Sequence, residues 1–412
     1  MHLFSLVSIL LTFTAIFAFL NYKLFRLPTA VGLMLSALVF SLAIMAFGNF
    51  YPALPQHAKM FVTSFDFSTT ILEGILSYLL FAGAINMSTM DLKKEKMPIA
   101  VLASVGVIIS TTIIGFVLYG ITKFGQINLP IMYCFVFGAL ISPTDAVAAL
   151  STLRSAKLPK YLESRIAGEA LFNDGTGLVV FFIFLTLATG SATLDGFSIF
   201  IMLIREILGG IALGVAFGWV SMLFLKRSPD PRIRLFVTLA CASAGYALAL
   251  KLGTSAPITV VVSGLWIGHF KSQIPTNQEG PSPVAIFWEL IDEILNASLF
   301  VLIGLYLLAL PLEYHEFFAG FLMIPVVLFA RFVSVGSIME IFRFLGDRHK
   351  KTSSFLMTWG GMRGGVSVAL ALSIADEPIR EIIVSMTYIV VAFSVLVQGI
   401  TINKFIKPEE KE

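Results

Sequence analysis

The chain has 412 residues, 57% of them hydrophobic and only 13% charged, with 28 basic against 25 acidic side chains. An ordinary soluble domain carries roughly 25% charge, so the composition excludes a soluble fold, and a net charge of +3 gives no reason to expect a nucleic-acid partner. The histidines (His2, His57, His269, His315, His349) and the two cysteines, Cys134 and Cys241, are scattered, which indicates no metal centre, cofactor or disulfide framework.

Apolar runs near membrane-spanning length follow one another along the chain, at roughly 3–20, 29–48, 68–87, 98–120, 130–152, 166–188, 196–225, 233–250, 254–268, 284–310, 316–342, 353–374 and 380–403. They predict an all-α polytopic membrane protein of thirteen spans forming a single domain over 1–412. Lipid offers the backbone no hydrogen bonds, so each span is a helix, or is broken only where protein or a cavity satisfies it. Span one lacks a basic leader and a small-residue cleavage site before Asn21, so it reads as a retained helix.

Span three carries Glu73 near its outer end, and span seven carries Arg205 and Glu206; long side chains so placed can reach the interface. Span five contains Ser142-Pro143-Thr144-Asp145, and a proline inside a helix removes a hydrogen bond and collides with the preceding turn. Span six contains Glu169, Asn173 and Asp174. Span ten opens on Glu289, Asp292 and Glu293, acids that suit a helix N-terminus. Span eleven holds Arg331, and span twelve holds Gly360-Gly361-Met362-Arg363-Gly364-Gly365, where four glycines around one arginine make a continuous helix improbable. Without a following Gly-Lys-Ser/Thr that run is a poor phosphate cradle. The tryptophans, Trp219, Trp266, Trp288 and Trp359, read as interfacial residues.

Lysine and arginine counts orient the chain. One set of alternate loops holds 21 basic residues, Arg165 and Arg234 among them, and the opposite set holds four, Lys59, Lys123, Lys251 and Arg380. The first set is expected to face the cytoplasm of a cell membrane, with the N-terminus outside and the C-terminus inside. Three basic residues remain within spans, Arg205, Arg331 and Arg363, and each costs at least about 2.5–3.5 kcal/mol at a helix centre unless paired or hydrated.

Spans five and six form a hairpin about Pro159, which puts Asp145 and Asp174 at matched depth, about 10–14 Å from the inner surface at 1.5 Å per residue. Arg331 and Arg363 fall near the same level, about 15 Å deep. Glu169 can neutralise one arginine and Arg363 can offset exposed helix-end dipoles, which leaves Asp145 and Asp174 to hold a cation or protons. Either helix break alone is ordinary in a membrane protein. Two breaks in corresponding halves, at the depth of the charges, point to the midplane site of an inverted-repeat transporter. The repeats are expected at about 1–190 and 232–405, with a connecting helix at about 196–225.

These residues resemble the cation/proton antiporters that include bacterial NhaP-type and animal sodium/proton exchangers. SPTDAVA is similar to the family's fifth-helix pattern, GEALFNDGTGLVVF to its sixth, FWELIDEILNASLFVLIGL to its tenth, FARFVSV to its eleventh and TWGGMRGGVSVALAL to its twelfth. The resemblance implies a homodimer in the lipid bilayer that works by alternating access of a core domain against a dimerisation domain, a transporter and not an enzyme. It implies Asp174 as the ion-binding and proton-accepting acid, with Asn173 where electrogenic relatives carry a second aspartate. It further implies Asp145 with Thr144 as the opposing half of the site, a pairing of Glu169 with Arg331, and Arg363 at the crossover. Ala170 and Ala82 depart from positions where some members place a ligand. The expected activity is electroneutral exchange of Na+, or Li+, for H+, serving pH and sodium homeostasis. K+/H+ exchange on the same scaffold is the alternative. An intramembrane aspartyl protease would also use two aspartates, but its Gly-x-Gly-Asp arrangement is absent, and a passive cation channel would not need arginine-balanced carboxylates.

Overall fold

A computed structural model describes residues 3–48, 50–87, 89–124, 129–145, 160–190, 196–271, 274, 282–310, 314–346 and 352–405. Among the described residues there is helix and no strand, and nine helical stretches are long and apolar enough to cross a membrane. Two shorter apolar helices, Ile131–Ile141 and Ala256–Phe270, fall where spans five and nine are expected. The chain is thus a multi-pass membrane protein. The inner part of span five and the hairpin about Pro159 lie outside the described residues.

Two interruptions stand out. Span five is helical over Ile131–Ile141 and leaves the helix at Ser142, one residue before Pro143. Span twelve is helical over Thr352–Trp359, non-helical through the glycines, and helical again over Gly365–Leu372. Span six, by contrast, is one helix of 29 residues, Lys160–Ala188, with Asp174 at its middle.

Among the described residues, four turns of π-helix occur, at Asn21–Phe25, Thr70–Ile75, Leu102–Gly106 and Ser394–Gln398. Such turns widen the helix by one residue and leave a carbonyl for outside partners. In span three that partner is the Tyr246 hydroxyl, which donates to the Leu72 carbonyl. An extra helix, Ala53–Thr63, lies between spans two and three. Its 11 residues extend about 16 Å, too short to cross the bilayer.

The buried apolar side chains form two clusters. The larger unites spans one, two, four, five, six and ten to thirteen with the start of span three, and the smaller joins spans three, eight and nine with parts of six and seven and Trp288 of span ten. Between helices the contact relies on small residues, because lipid provides no hydrophobic drive for helix association and close packing must substitute. In span seven (Gly196–Arg227), Gly210, Gly214 and Gly218 recur every fourth residue; a Cβ at Gly214 would lie 2.6 Å from the Thr259 carbonyl of span nine. Gly264 and Gly268 of span nine press in the same way on the backbone of span three near Phe81 and Ile85.

Three sequence expectations change here. Arg165 and Arg234, placed among the loop charges, are 2% and 7% exposed. Span six begins at Lys160 rather than near Arg165, so the first guanidinium lies inside a helix and pairs with Glu95 of span four. Arg234 donates from Nε to the Ser228 carbonyl at 2.8 Å. Trp288 is not interfacial: it is fully buried, with Nε1 donating to Thr238 Oγ1 at 3.0 Å and its ring packed on Phe81.

Candidate functional site

The two interrupted spans meet through their non-helical segments. The Asp145 amide donates to the Met362 carbonyl at 2.7 Å, so one segment supplies the hydrogen bond that the other lost on leaving its helix. Arg363 Nη1 donates to the Pro143 carbonyl at 3.1 Å, beside the C-terminal end of Ile131–Ile141. Carbonyls at that end carry a partial negative charge, so a cation is favoured there. A cation at that position suits the helix end it faces.

The crossing requires glycine. A Cβ on Gly364 would lie 1.9 Å from Asp145 Oδ2, and one on Gly361 would lie 2.8 Å from Arg331 Nε. Span six makes a matching concession at Gly177, whose Cβ would fall 2.1 Å from Pro143 Cγ. Backbone and proline ring can therefore pass within contact distance of the acid-bearing helix.

On span six, Arg165, Glu169 and Asn173 follow at intervals of four and share a face. Glu169, 1% exposed, accepts two hydrogen bonds from the Arg331 guanidinium, the Nη2–Oε2 bond being 2.8 Å. A bidentate pair of this kind is the strong form of a buried ion pair. Asn173 is fully buried, and its Nδ2 donates to Thr144 Oγ1 at 2.9 Å, which ties span six to the span-five segment. Its Oδ1 has no hydrogen-bond partner among the described residues.

Asp174 lies one residue further, about 100° round the helix. It is half-buried, as is Asp145, in contrast to the sealed Asn173 and Thr144. The two carboxylates are close enough for their charges to interact. All seven residues expected from the sequence thus converge: Thr144, Asp145, Glu169, Asn173, Asp174, Arg331 and Arg363. Ala170 and Ala82 are buried and contribute no ligand atom. A pair of half-exposed acids beside oxygen donors can take a small hard cation or a proton, and mutual repulsion disfavours leaving both charges bare. Next to the pair, Gly175 abuts span nine, where its Cβ would lie 2.8 Å from Ile258 Cγ1.

Span thirteen contributes a set of contacts that sequence reasoning missed. Ser394 Oγ accepts from the Arg363 amide at 2.9 Å, and Gln398 Nε2 donates to the Trp359 carbonyl at 2.9 Å. Ser394 in turn donates to Gln398 Oε1, and Trp359 Nε1 donates to Thr401 Oγ1 at 3.0 Å. The π-turn Ser394–Gln398 thereby serves both sides of the span-twelve break. The signal was present: a serine and a glutamine four apart in the apolar run SVLVQGI. Behind the crossing, Ser110 bonds Ser334 at 3.1 Å and Thr111 bonds Ser142 at 3.2 Å.

Comparison with known proteins identifies the family. The family model described as "Sodium/hydrogen exchanger, transmembrane" matches residues 9–407. The chain is 40% identical over 407 residues to the Na(+)/H(+) antiporter NhaP of Pseudomonas aeruginosa, covering 98% of this chain and 96% of that protein. It is 28% identical to the Na(+)/H(+) antiporter NhaH of Halobacillus dabanensis over 93% of each chain. Among solved structures, the sodium proton antiporter MjNhaP1 from Methanocaldococcus jannaschii superposes with a TM-score of 0.75 at 20% identity, covering 97% of this chain and all of that one. At that identity the superposition speaks for the fold. With the family model spanning nearly the whole length, the chain belongs to the sodium/hydrogen exchanger family.

Proposed function

We propose that the protein is a secondary antiporter exchanging Na+, or Li+, for H+ across the cell membrane by alternating access. The observation that carries this reading is the juxtaposition of Asp145 and Asp174, two partly buried carboxylates that each follow a member of the Thr144–Asn173 hydrogen bond, where interrupted helices cross in an apolar bundle. Relatives named as Na(+)/H(+) antiporters support the choice of ions.

The exchange is competition at one site. A cation binds when the Asp174 carboxylate is ionised, with Asp145 as the opposing charge and Thr144 and Asn173 fixing the wall between them. A proton arriving on the Asp174 oxygen removes the charge that held the cation, and the cation leaves. Either occupant neutralises the moving acid, and that lowers the cost of carrying it past apolar side chains. Asp174 alone changes its charge, since its neighbour is Asn173, so one cation is traded per proton and no net charge crosses. Glu169 with Arg331, and Arg363 on the Pro143 carbonyl, hold the frame and do not exchange. The bundle that carries the site moves against spans three, eight and nine, in a homodimer whose basic loops face the cytoplasm.

The protein reconstituted in acidic-inside liposomes is expected to collapse the pH gradient on addition of Na+ or Li+, at a rate indifferent to a clamped membrane potential. No response to Na+, Li+ or K+ would overturn antiport, a response to K+ alone would reassign the ion, and potential dependence would overturn electroneutrality.

A further inference from the structure

Beside the crossing lies a small cavity bounded by Arg331, Thr358, Gly361, Arg363, Val390 and Gln398, its remaining wall being apolar and neither aspartate lining it. The space open to the centre of a water molecule is about 10 Å³, room for one water and little more. Both arginines are sealed from solvent, at 4% and 2% exposure, and each has an Nε–H with no hydrogen-bond partner among the described residues. An unsatisfied buried donor is destabilising, more so when charged, so two of them beside one cavity call for a common acceptor.

We propose that this cavity is a structural binding site for a single water molecule that bridges Arg331 to Arg363. The donor and acceptor count closes on water. The two Nε–H groups donate to its oxygen. Thr358 Oγ1 uses its own hydrogen on the Ser354 carbonyl and keeps a lone pair, and Gln398 Oε1, which accepts once from Ser394, also keeps one. Water donates to both and completes four bonds, within the usual range for a buried water. A small anion would also accept from the guanidinium groups, but it would then face the two oxygens without a proton to offer. Nor does local charge demand an anion, because Arg331 is paired with Glu169 and Arg363 lies on the Pro143 carbonyl at the negative end of a helix.

The bridge joins the ion pair of spans six and eleven to the arginine of the span-twelve break. It therefore positions Arg363 on the Pro143 carbonyl without touching the transported ion. The site stands on geometry alone and is independent of which cation is exchanged.

Crystals of the full chain grown with sodium bromide in place of chloride, with data collected at the bromine edge, test it directly. The expected result is one peak within hydrogen-bonding distance of both Nε atoms and no anomalous signal. A bromide signal at the peak, or both Nε groups bonded to protein with no peak between them, would overturn the proposal. Val390 lines the cavity and touches no ion. Val390→Ile extends a methylene into the water's volume and is expected to lower the exchange rate on the order of tenfold, with the apparent Km for Na+ little changed, while Val390→Ala leaves the rate near wild type. Wild-type rates in Val390→Ile with the peak gone would sink the positioning role.

Discussion

Gly364→Ala tests the crossing most sharply, because the added atom is a single methyl and its neighbours are known. Gly364 has φ −128°, which any residue adopts, so backbone strain plays no part. The obstacle is Asp145. The new Cβ would lie 1.9 Å from Oδ2, 2.6 Å from Cγ and 2.7 Å from Cβ, where non-bonded Cβ contacts essentially never fall below 3.0 Å. The carboxylate must retreat by at least 1.1 Å, the difference between 3.0 and 1.9 Å. Rotating the side chain does not suffice, since the aspartate's own Cβ is also too close and its amide is pinned to Met362 at 2.7 Å. Overpacking of this kind costs about 1–3 kcal/mol in stability. A displacement near 1 Å at a functional carboxylate costs about 100-fold in rate if transport obeys the geometric demands of catalysis. The assay is Na+-driven gradient collapse in liposomes, with thermal unfolding measured in detergent. Asp145→Ala in the same chain removes the carboxylate and should recover part of the stability loss while leaving transport abolished. Gly336→Ala, with no heavy atom within 4 Å, serves as the control and should be neutral or slightly stabilising. Wild-type exchange by Gly364→Ala, or an Asp145→Ala background that recovers no stability, would refute the reasoning.

Three further outcomes follow from the site. Asp174→Ala should abolish Na+-driven proton movement while the protein keeps its size-exclusion profile, and retained exchange would remove the assignment. Glu169→Gln leaves Arg331 buried without a counter-charge, a loss of about 3–5 kcal/mol. Adding Arg331→Met to that variant should restore part of the melting temperature, and a double variant no more stable than the single one would contradict the pair's isolation. Gln398→Leu strands the Trp359 carbonyl and is expected to cost about 1–3 kcal/mol, read by unfolding, with a larger fractional loss in transport than Thr401→Val.

What the sequence made legible is the part that charge exposes. Arg331, Arg363, Glu169, Asp145 and Asp174 are costly in lipid, so each marks its own partner and depth, and the proline and glycines beside them mark the breaks. The count of basic residues failed locally at Arg165 and Arg234, because a helix can continue past the apolar run and bury a guanidinium on a carboxylate or carbonyl that lies far away in sequence. Glu95, the partner of Arg165, is 70 residues distant. Neutral polar residues were harder to interpret. Ser394 and Gln398 look like tolerated exceptions in an apolar span until the span-twelve break is placed against them. The π-turns had no signature either, since the displaced carbonyl is answered by a residue of another span, Tyr246 in the case of Leu72.

The packing also says where movement has to occur. The crossing is bonded to spans six, eleven and thirteen through Thr144, Arg331, Ser394 and Gln398, so it moves with them or not at all. Against span nine, the contact beside the site is Gly175 on the apolar Ile258, which can slide without breaking a hydrogen bond. Gly175→Cys with Ile258→Cys turns that contact into a test. The Gly175 Cβ position lies 2.8 Å from Ile258 Cγ1, which puts the two Cβ atoms within about 4.5 Å and so within disulfide range. Cys134 and Cys241 are buried free thiols and would be replaced by serine beforehand. If the bundle that carries Asp174 travels past span nine, oxidation should stop exchange and a reductant should restore it. A quantitatively cross-linked protein that still exchanges Na+ for H+ at the reduced rate would place the moving seam elsewhere.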